Sequence, residues 1–404
     1  MKKSILYILQ HSVYNNENKW SIADSNLNMF LDMASALYDI DKDIHFYCFI
    51  APIEDFYNLN EYTELYSKSN VTFIPYKFPV DAFTNRFAFD PQYFINKFNE
   101  LPKIDAIWNN IVELTLNMKV ALFQIKQTPK IISCNYWLDA PEIGQEKVDK
   151  SISYDIRQWE GFHNSDLCIF TCESTKNAWL QNAKYKFNQK YTRNIIKKSS
   201  IWDFGFSSAK CQNAKVEFKP STYTVPTILF LNRLSGINYT HHQQFIDAVN
   251  ELFKERQDFR VFFTNPSQKV TNLWLKENVK PYIELIKTPL SRKEYFKLLT
   301  ECNISVHLFL KELYGGCAHR EATYFDNLIQ VVPEVNEYAR IHGKNYPFYV
   351  KEDFSNLKEI LNKAIDNFYT NTYTKPKKIF NENLKSSFEE CIKTVYADII
   401  KLFK

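Results

Sequence analysis

The run KELYGGCAHREATYFDN gathers Glu312, Gly315, Gly316, His319, Arg320 and Glu321 in one short stretch. Carboxylates of this kind accept hydrogen bonds from paired hydroxyls. Adjacent glycines leave backbone N–H groups open to an anion. His319 and Arg320 supply possible positive charge beside them. The chemistry suggested is a grip on a ligand that is both anionic and rich in hydroxyls. The whole chain contains only seven glycines, where ordinary usage at this length gives roughly four times as many. A glycine kept in such a chain marks a place where no side chain fits. The apolar run ISVHLFL before the pair reads as a buried strand, and 318–327 after it reads as a helix. Strand, small-residue loop and helix start together form an anion-binding geometry.

These residues need a scaffold, and the apolar pattern supplies one. SILYILQ, IHFYCFIA, VTFIPY, AIWNNI, KIISCNYW, DLCIFTC and SSIWDFGF read as strands in the first half. Leu27, Phe30, Leu31, Ala34 and Leu37 recur at helical spacing between the first two. In the second half TILFLNR, FRVFFTN, YIELIK, ISVHLFL and LIQVVP are strands. A helix runs through Phe245, Ala248, Val249, Leu252 and Phe253, and a capping box from Ser291 to Glu294 opens another. Alternation of this kind builds parallel, doubly wound α/β sheets. Residues 1–211 are expected as an N-terminal Rossmann-like domain, 212–226 as a linker and 227–353 as a second Rossmann-like domain. Residues 354–404 are expected as C-terminal helices.

The 404 residues suit two domains, and 45% hydrophobic content is ample for two cores. A net charge of +4 permits an anionic partner without requiring one. No run reaches the roughly 20 apolar residues of a membrane span. The N-terminal MKKSILYILQ reads as a strand and not as a signal peptide. Eight cysteines lie scattered without zinc spacing, so no metal site is expected, and a reduced, cytoplasmic setting fits them.

Four segments in register resemble the GT-B glycosyltransferases, specifically the retaining enzymes of family four. They are HNSDLCIFTCESTKNAWLQNA, SSIWDFGF, TILFLNRLSGINYTHHQQFIDAVNELF and ISVHLFLKELYGGCAHREATYFDNLIQVVPE. The resemblance implies two Rossmann-like domains facing a cleft. It also implies transfer of a sugar, with retention, from a nucleotide-diphosphate donor, UDP- or GDP-linked, without a metal or other cofactor. Arg233 takes the place of the family's diphosphate-binding arginine, and Asn238 stands where the family carries a lysine. Glu312 and Glu321 correspond to its glutamate pair, with eight residues between them in place of seven. Glu312 is thereby a catalytic candidate near the donor sugar, and Glu321 a ribose ligand. Gly315, Gly316 and His319 complete the donor set.

On the acceptor side the candidates are His11, Tyr136 and Glu142, with Asp139 as a polar group facing the anomeric carbon. The acceptor is a glycan or, as in phage-encoded relatives in infected cells, a hydroxymethylated base of DNA. Lys184, Lys186, Lys190, Arg193, Lys197 and Lys198, interleaved with Tyr185, Phe187 and Tyr191, bear on the DNA reading. A non-catalytic nucleotide-sugar-binding protein and a sugar-nucleotide epimerase remain open beside these.

Overall fold

The computed structural model describes residues 2–9, 25–50, 52, 70–77, 89–135, 154–186, 189–203, 208–219, 224–231, 241–264, 283–286, 290, 292–310, 316–374 and 388–404. The chain divides into two compact units. Unit 1 comprises Met1–Phe204 with Glu389–Lys404, and unit 2 is Gly205–Phe388.

In unit 1 the strands are β1 (Lys3–Ile8), β2 (Ile44–Ile50), β3 (Val71–Pro75), β4 (Ala106–Asn109), β5 (Lys130–Asn135), β6 (Leu167–Phe170) and β7 (Ser199–Ile201). All pair in parallel, in the order β3-β2-β1-β4-β5-β6-β7. Strands covered on both faces need continuous apolar runs. Ile5 to Leu9, Phe46 with Cys48 to Ile50, and Leu167 to Phe170 are accordingly buried. The described α-helices of this unit before Phe204 are α1 (Ser25–Ile40), α2 (Pro91–Asn99), α3 (Thr115–Gln124), α4 (Tyr154–Asn164), α5 (Glu173–Lys186) and α6 (Gln189–Lys197). Asp90 caps α2 by accepting from the Tyr93 N–H at 2.9 Å. Gly161 on α4 is required by close approach, since a Cβ there would lie 1.9 Å from the Val112 carbonyl oxygen.

Unit 2 repeats the plan. Its strands are β8 (Thr227–Phe230), β9 (Arg260–Thr264), β10 (Ile283–Ile286), β11 (Ile304–Val306), β12 (Ile329–Pro333) and β13 (Tyr349–Val350), in the order β10-β9-β8-β11-β12-β13. Its helices are α7 (Ser208–Glu217), α8 (His242–Glu255), α9 (Arg292–Glu301), α10 (Cys317–Tyr324), α11 (Asn336–His342) and α12 (Leu357–Thr370). Ile228, Phe230, Phe263, Val306 and Val331 from the sheet meet Phe245 and Val249 of α8 and Leu361 and Ile365 of α12 in one core. Phe230 stacks on both Phe245 and Phe263 at 4.6 Å.

Two expectations of chain organisation are corrected. The segment read as a linker from 212 is helical to Glu217, and Cys211 and Ala214 pack with Leu229, Leu299 and Ala322 in a core of unit 2. Its apolar residues are too sparse to show as a stripe, which is why only its prolines and polar residues were legible. The C-terminal helices are not one tail. α12 belongs to unit 2, whereas the final helix α13 (Phe388–Leu402) joins unit 1 from Glu389 onward. Trp202 donates from Nε1 to Asp398 at 3.0 Å, and the Tyr396 hydroxyl donates to Asp41 at 3.3 Å. Periodicity marks an amphipathic helix but not the core that receives it.

Arg256, at the end of α8, forks onto both oxygens of Asp258 at 2.7 Å and reaches Asp366 of α12 at 2.5 Å and Asn362 at 2.9 Å. The Arg256 hydrogen bond holds the Asp258 carboxyl at about 2. Charge-assisted bonds of this kind contribute about 1.5–3 kcal/mol, and the exposed carboxylates reduce that through solvent screening. Arg256→Ala is expected to destabilise unit 2 by about 1–2 kcal/mol at neutral pH. A lowered carboxylate pKa stabilises above the unfolded value near 4 and is lost as pH falls toward 2. Thermal melts of wild type and variant should therefore converge across that interval.

Candidate functional site

In unit 2 the sheet order reverses at β8 and β11, which pair through Ile304↔Ile228, Ser305↔Leu229 and Val306↔Phe230. Chains leaving the carboxyl ends of two such strands diverge and open a crevice where ligands gather. Leu231, just past β8, leads into 232–240, so Arg233 and Asn238 lie outside the described residues. β11 ends at Val306, earlier than the ISVHLFL run suggests, and His307 and Leu308 continue buried. Glu312 and Gly315 also lie outside the described residues.

Gly316 is described, and it stands at the start of α10 with φ 76° and ψ 146°. Residues with a Cβ rarely adopt that backbone. The N-cap position of this helix is the glycine itself, which offers no side chain as a cap, and a helix start of this kind favours an anion through its first-turn N–H groups and its dipole. Glu321 is 7% exposed on the same helix. Gly316 and Glu321 therefore share one short element following the switch strand.

His319 and Arg320 are placed differently from the flanking cations that the sequence suggested. Both point into the core, at 0% and 1% exposure. His319 Nε2 lies 2.9 Å from His342 Nε2, so one ring donates the single proton between them and the other accepts. Its ring also meets Tyr338 edge-on at 4.6 Å. The His319 carbonyl accepts from Thr323 Oγ1 at 2.8 Å and from Gln330 Nε2 at 3.1 Å. Arg320 Nη2 donates to Glu337 Oε2 at 3.1 Å, and Arg340 donates to the same oxygen from Nε at 2.7 Å and approaches it with Nη2 at 2.6 Å. Glu337 is wholly buried. The Glu337 carboxylate thus ties α10 to α11 through Arg320, while Arg340 binds the same oxygen from within α11. The buried partners Glu337 and His342 and the half-buried Arg340 fall in NEYARIH, which reads as an ordinary polar helix, so no local signal marked them.

At the corresponding switch of unit 1, β1 and β4 pair through Tyr7↔Trp108 and Ile8↔Asn109. His11, Tyr136, Asp139 and Glu142 lie outside the described residues. What is described is a buried polar floor. The Tyr7 hydroxyl donates to Asn26 Oδ1 at 2.7 Å, Asn110 Nδ2 donates to the same oxygen at 2.7 Å, and Trp108 Nε1 donates to Asn110 Oδ1 at 2.8 Å. This fixes the first turn of α1 to the carboxyl ends of β1 and β4. Gln158 donates to the buried Glu113 at 3.0 Å.

The basic stretch is only partly a charged face. Lys190, Arg193 and Lys197 are exposed along α6. Lys198 instead turns inward, donating to the carbonyls of His163 and Ser165 behind α4, and burial lowers its pKa. Among the described residues no group of three His, Cys, Asp or Glu side chains is placed to hold a metal ion. No described helix is long and apolar enough to cross a membrane.

No protein-family model and no curated protein matches the chain. Solved structures do. The Escherichia coli trehalose-6-phosphate protein bound with UDP-2-fluoro glucose superposes with a TM-score of 0.67 at 12% identity, over 98% of this chain and 99% of that one. Anabaena HepE in complex with UDP-glucose gives 0.66 at 12% identity over 98% and 99%. The UDP-forming α,α-trehalose-phosphate synthase of Burkholderia xenovorans gives 0.64 at 11% over the full length of both chains. This chain has the GT-B fold. In GT-B terms, β8 to β13 form the second Rossmann-like sheet, and α10 starts beside its switch point. Identity this low carries the fold and assigns no residue.

Glu337 is the joint of the second sheet's helical layer. Removing one partner of a buried ion group leaves charge uncompensated, at a cost of about 3–5 kcal/mol. Glu337→Gln is expected to lower stability by about that amount, measured by urea unfolding followed through tryptophan and tyrosine fluorescence. A change under about 1 kcal/mol would remove Glu337 from this role.

Proposed function

We propose that the protein is a retaining glycosyltransferase that takes a sugar from a UDP- or GDP-linked donor. The observation that carries this reading is the start of α10 at Gly316, a glycine at φ 76° that follows the switch strand β11, with Glu321 buried on the same helix. The GT-B fold shared with proteins solved with UDP-glucose and UDP-2-fluoro glucose supports it.

The first-turn N–H groups of α10 hold the donor diphosphate and stabilise the charge that builds on it as the glycosidic bond breaks. Arg233, by its resemblance to the family's arginine, adds a planar cation to the same oxygens. Glu321 accepts from the two ribose hydroxyls and fixes the nucleotide's orientation. Glu312 lies near the donor sugar by the same resemblance. The leaving phosphate oxygen takes the proton of the acceptor hydroxyl, which attacks on the face the phosphate vacates, so configuration is retained. Nothing in this scheme calls on a metal ion or a second cofactor, and turnover is expected to survive chelation. Unit 1 carries the acceptor, with His11, Tyr136, Asp139 and Glu142 as its polar candidates.

A glycan is the first acceptor to test. The exposed Lys190, Arg193 and Lys197 on α6 favour a second, a hydroxymethylated base of DNA, because they present a row of cations to a phosphate backbone. Incubation with a panel of UDP- and GDP-sugars, with released nucleotide as readout, tests the reading. Release from one donor supports it. Isomerised donor instead indicates an epimerase, and donor binding without turnover indicates a non-catalytic protein.

Glu321→Gln should weaken donor binding by about 1.5–3 kcal/mol, the range for hydrogen bonds to a charged group, and leave the melting temperature near wild type. Gly316→Val should do more harm, since a β-branched residue is strained at φ 76° and its side chain blocks the approach of phosphate. Calorimetry with UDP and GDP measures both. Wild-type affinity in both variants would contradict the donor site.

A further inference from the structure

Three helices of unit 1 lie side by side and carry a surface that the donor site does not use. α4 packs against both α3 and α6. Lys119 of α3 donates from Nζ to the Asn164 carbonyl of α4 at 3.2 Å, and Tyr191 of α6 meets the Trp159 and His163 rings of α4 edge-on at 6.0 and 4.9 Å. The inner side of this layer is spent on the core, through Met118 and Leu122 of α3, Phe162 of α4 and Ile195 of α6.

The opposite side is apolar on one helix and cationic on another. Val120 and Phe123 share a face of α3 and are 52% and 79% exposed, and Ile156 at the start of α4 is 46% exposed. Exposed apolar residues are ordinary singly, but a group of them marks a contact surface. On α6, Lys190, Arg193 and Lys197 are exposed at spacings of three and four, which makes one stripe. Neither α3 nor α6 contains an acidic residue. Lys119 and Arg157 are exposed as well, and against them α4 carries Asp155 and the half-buried Glu160.

Charge and apolarity together select the occupant. A second copy docked face to face would set cations against cations. A duplex DNA backbone would use the α6 stripe but has no use for Phe123 and Val120. An anionic bilayer uses both, because its headgroup phosphates attract Lys and Arg while the acyl boundary takes up aromatic and aliphatic side chains. No described helix can cross a bilayer, so the contact would be one that lies on the surface.

We propose that the layer of α3, α4 and α6 docks unit 1 on an anionic lipid surface. Phe123 and Val120 enter the headgroup boundary, and Lys190, Arg193 and Lys197 meet the lipid phosphates. The proposal goes beyond the donor chemistry and is tested without a nucleotide.

The full chain is sedimented with vesicles of phosphatidylcholine alone and of phosphatidylcholine with about 30% phosphatidylglycerol. Wild type should bind the anionic vesicles, leave the neutral ones, and be released by high salt. Phe123→Ser should melt at or above the wild-type temperature, because the side chain is exposed, and bind the anionic vesicles about tenfold more weakly. Val120→Ser should act in the same direction to a smaller extent. Arg193→Glu combined with Lys197→Glu should lose more than about tenfold. Absence of wild-type binding to the anionic vesicles overturns the proposal, and so does unchanged binding in Phe123→Ser and Val120→Ser. Binding to duplex DNA that exceeds binding to the vesicles, and is lost on charge reversal but not in Phe123→Ser, assigns the stripe to nucleic acid and also overturns it. Each of these results leaves the donor site in unit 2 untouched.

Discussion

The parallel pairing of β8 with β11 is the constraint on which the candidate site depends. The two strands are neighbours in the sheet but not in the chain. Two segments far apart in the chain therefore leave the sheet from one place, the first at Leu231 and the second at His307. A one-residue slip in this register would turn Ser305 and Val306 to the wrong faces and move α10 with them. The strands leave little freedom for such a slip, because Ile304 and Val306 are both wholly buried.

Register alone does not orient α10, which is only eight residues long. Its orientation comes from the polar groups beneath it. Glu337 draws in Arg320 and Arg340, His342 shares a proton with His319, and Gln330 and Thr323 close the last turn against β12. These groups offer nothing directly to a ligand. They hold the backbone of α10 in place, and under the proposed function that fixed backbone meets the diphosphate without reorganising, the condition for electrostatic stabilisation.

Much of this architecture was legible in the amino-acid sequence, because fully buried parallel strands require apolar runs that are hard to mistake. The runs around Ile5, Phe46, Ile107, Cys168, Ile228 and Phe262 each became a strand in the expected place. Chain organisation was less legible. Cys211 and Ala214 are too small and too widely spaced to announce a packed helix, and the apolar pattern of α13 does not name the core that receives it. Side-chain roles were least legible. His319 and Arg320 resemble surface cations in a polar run, and only their partners on α11 reveal that they are buried. His307 lies inside the apolar run ISVHLFL, yet the strand ends one residue before it, at Val306.

The central claim is that unit 2 binds a nucleotide diphosphate at the carboxyl ends of β8 and β11. A crystal structure of the protein grown with UDP tests it most directly, with GDP as the second ligand. The account predicts the diphosphate against the first-turn N–H groups of α10, close to Gly316, and the ribose within hydrogen-bond distance of Glu321. A nucleotide bound at any other place on the chain, with the start of α10 left without it, would contradict the account.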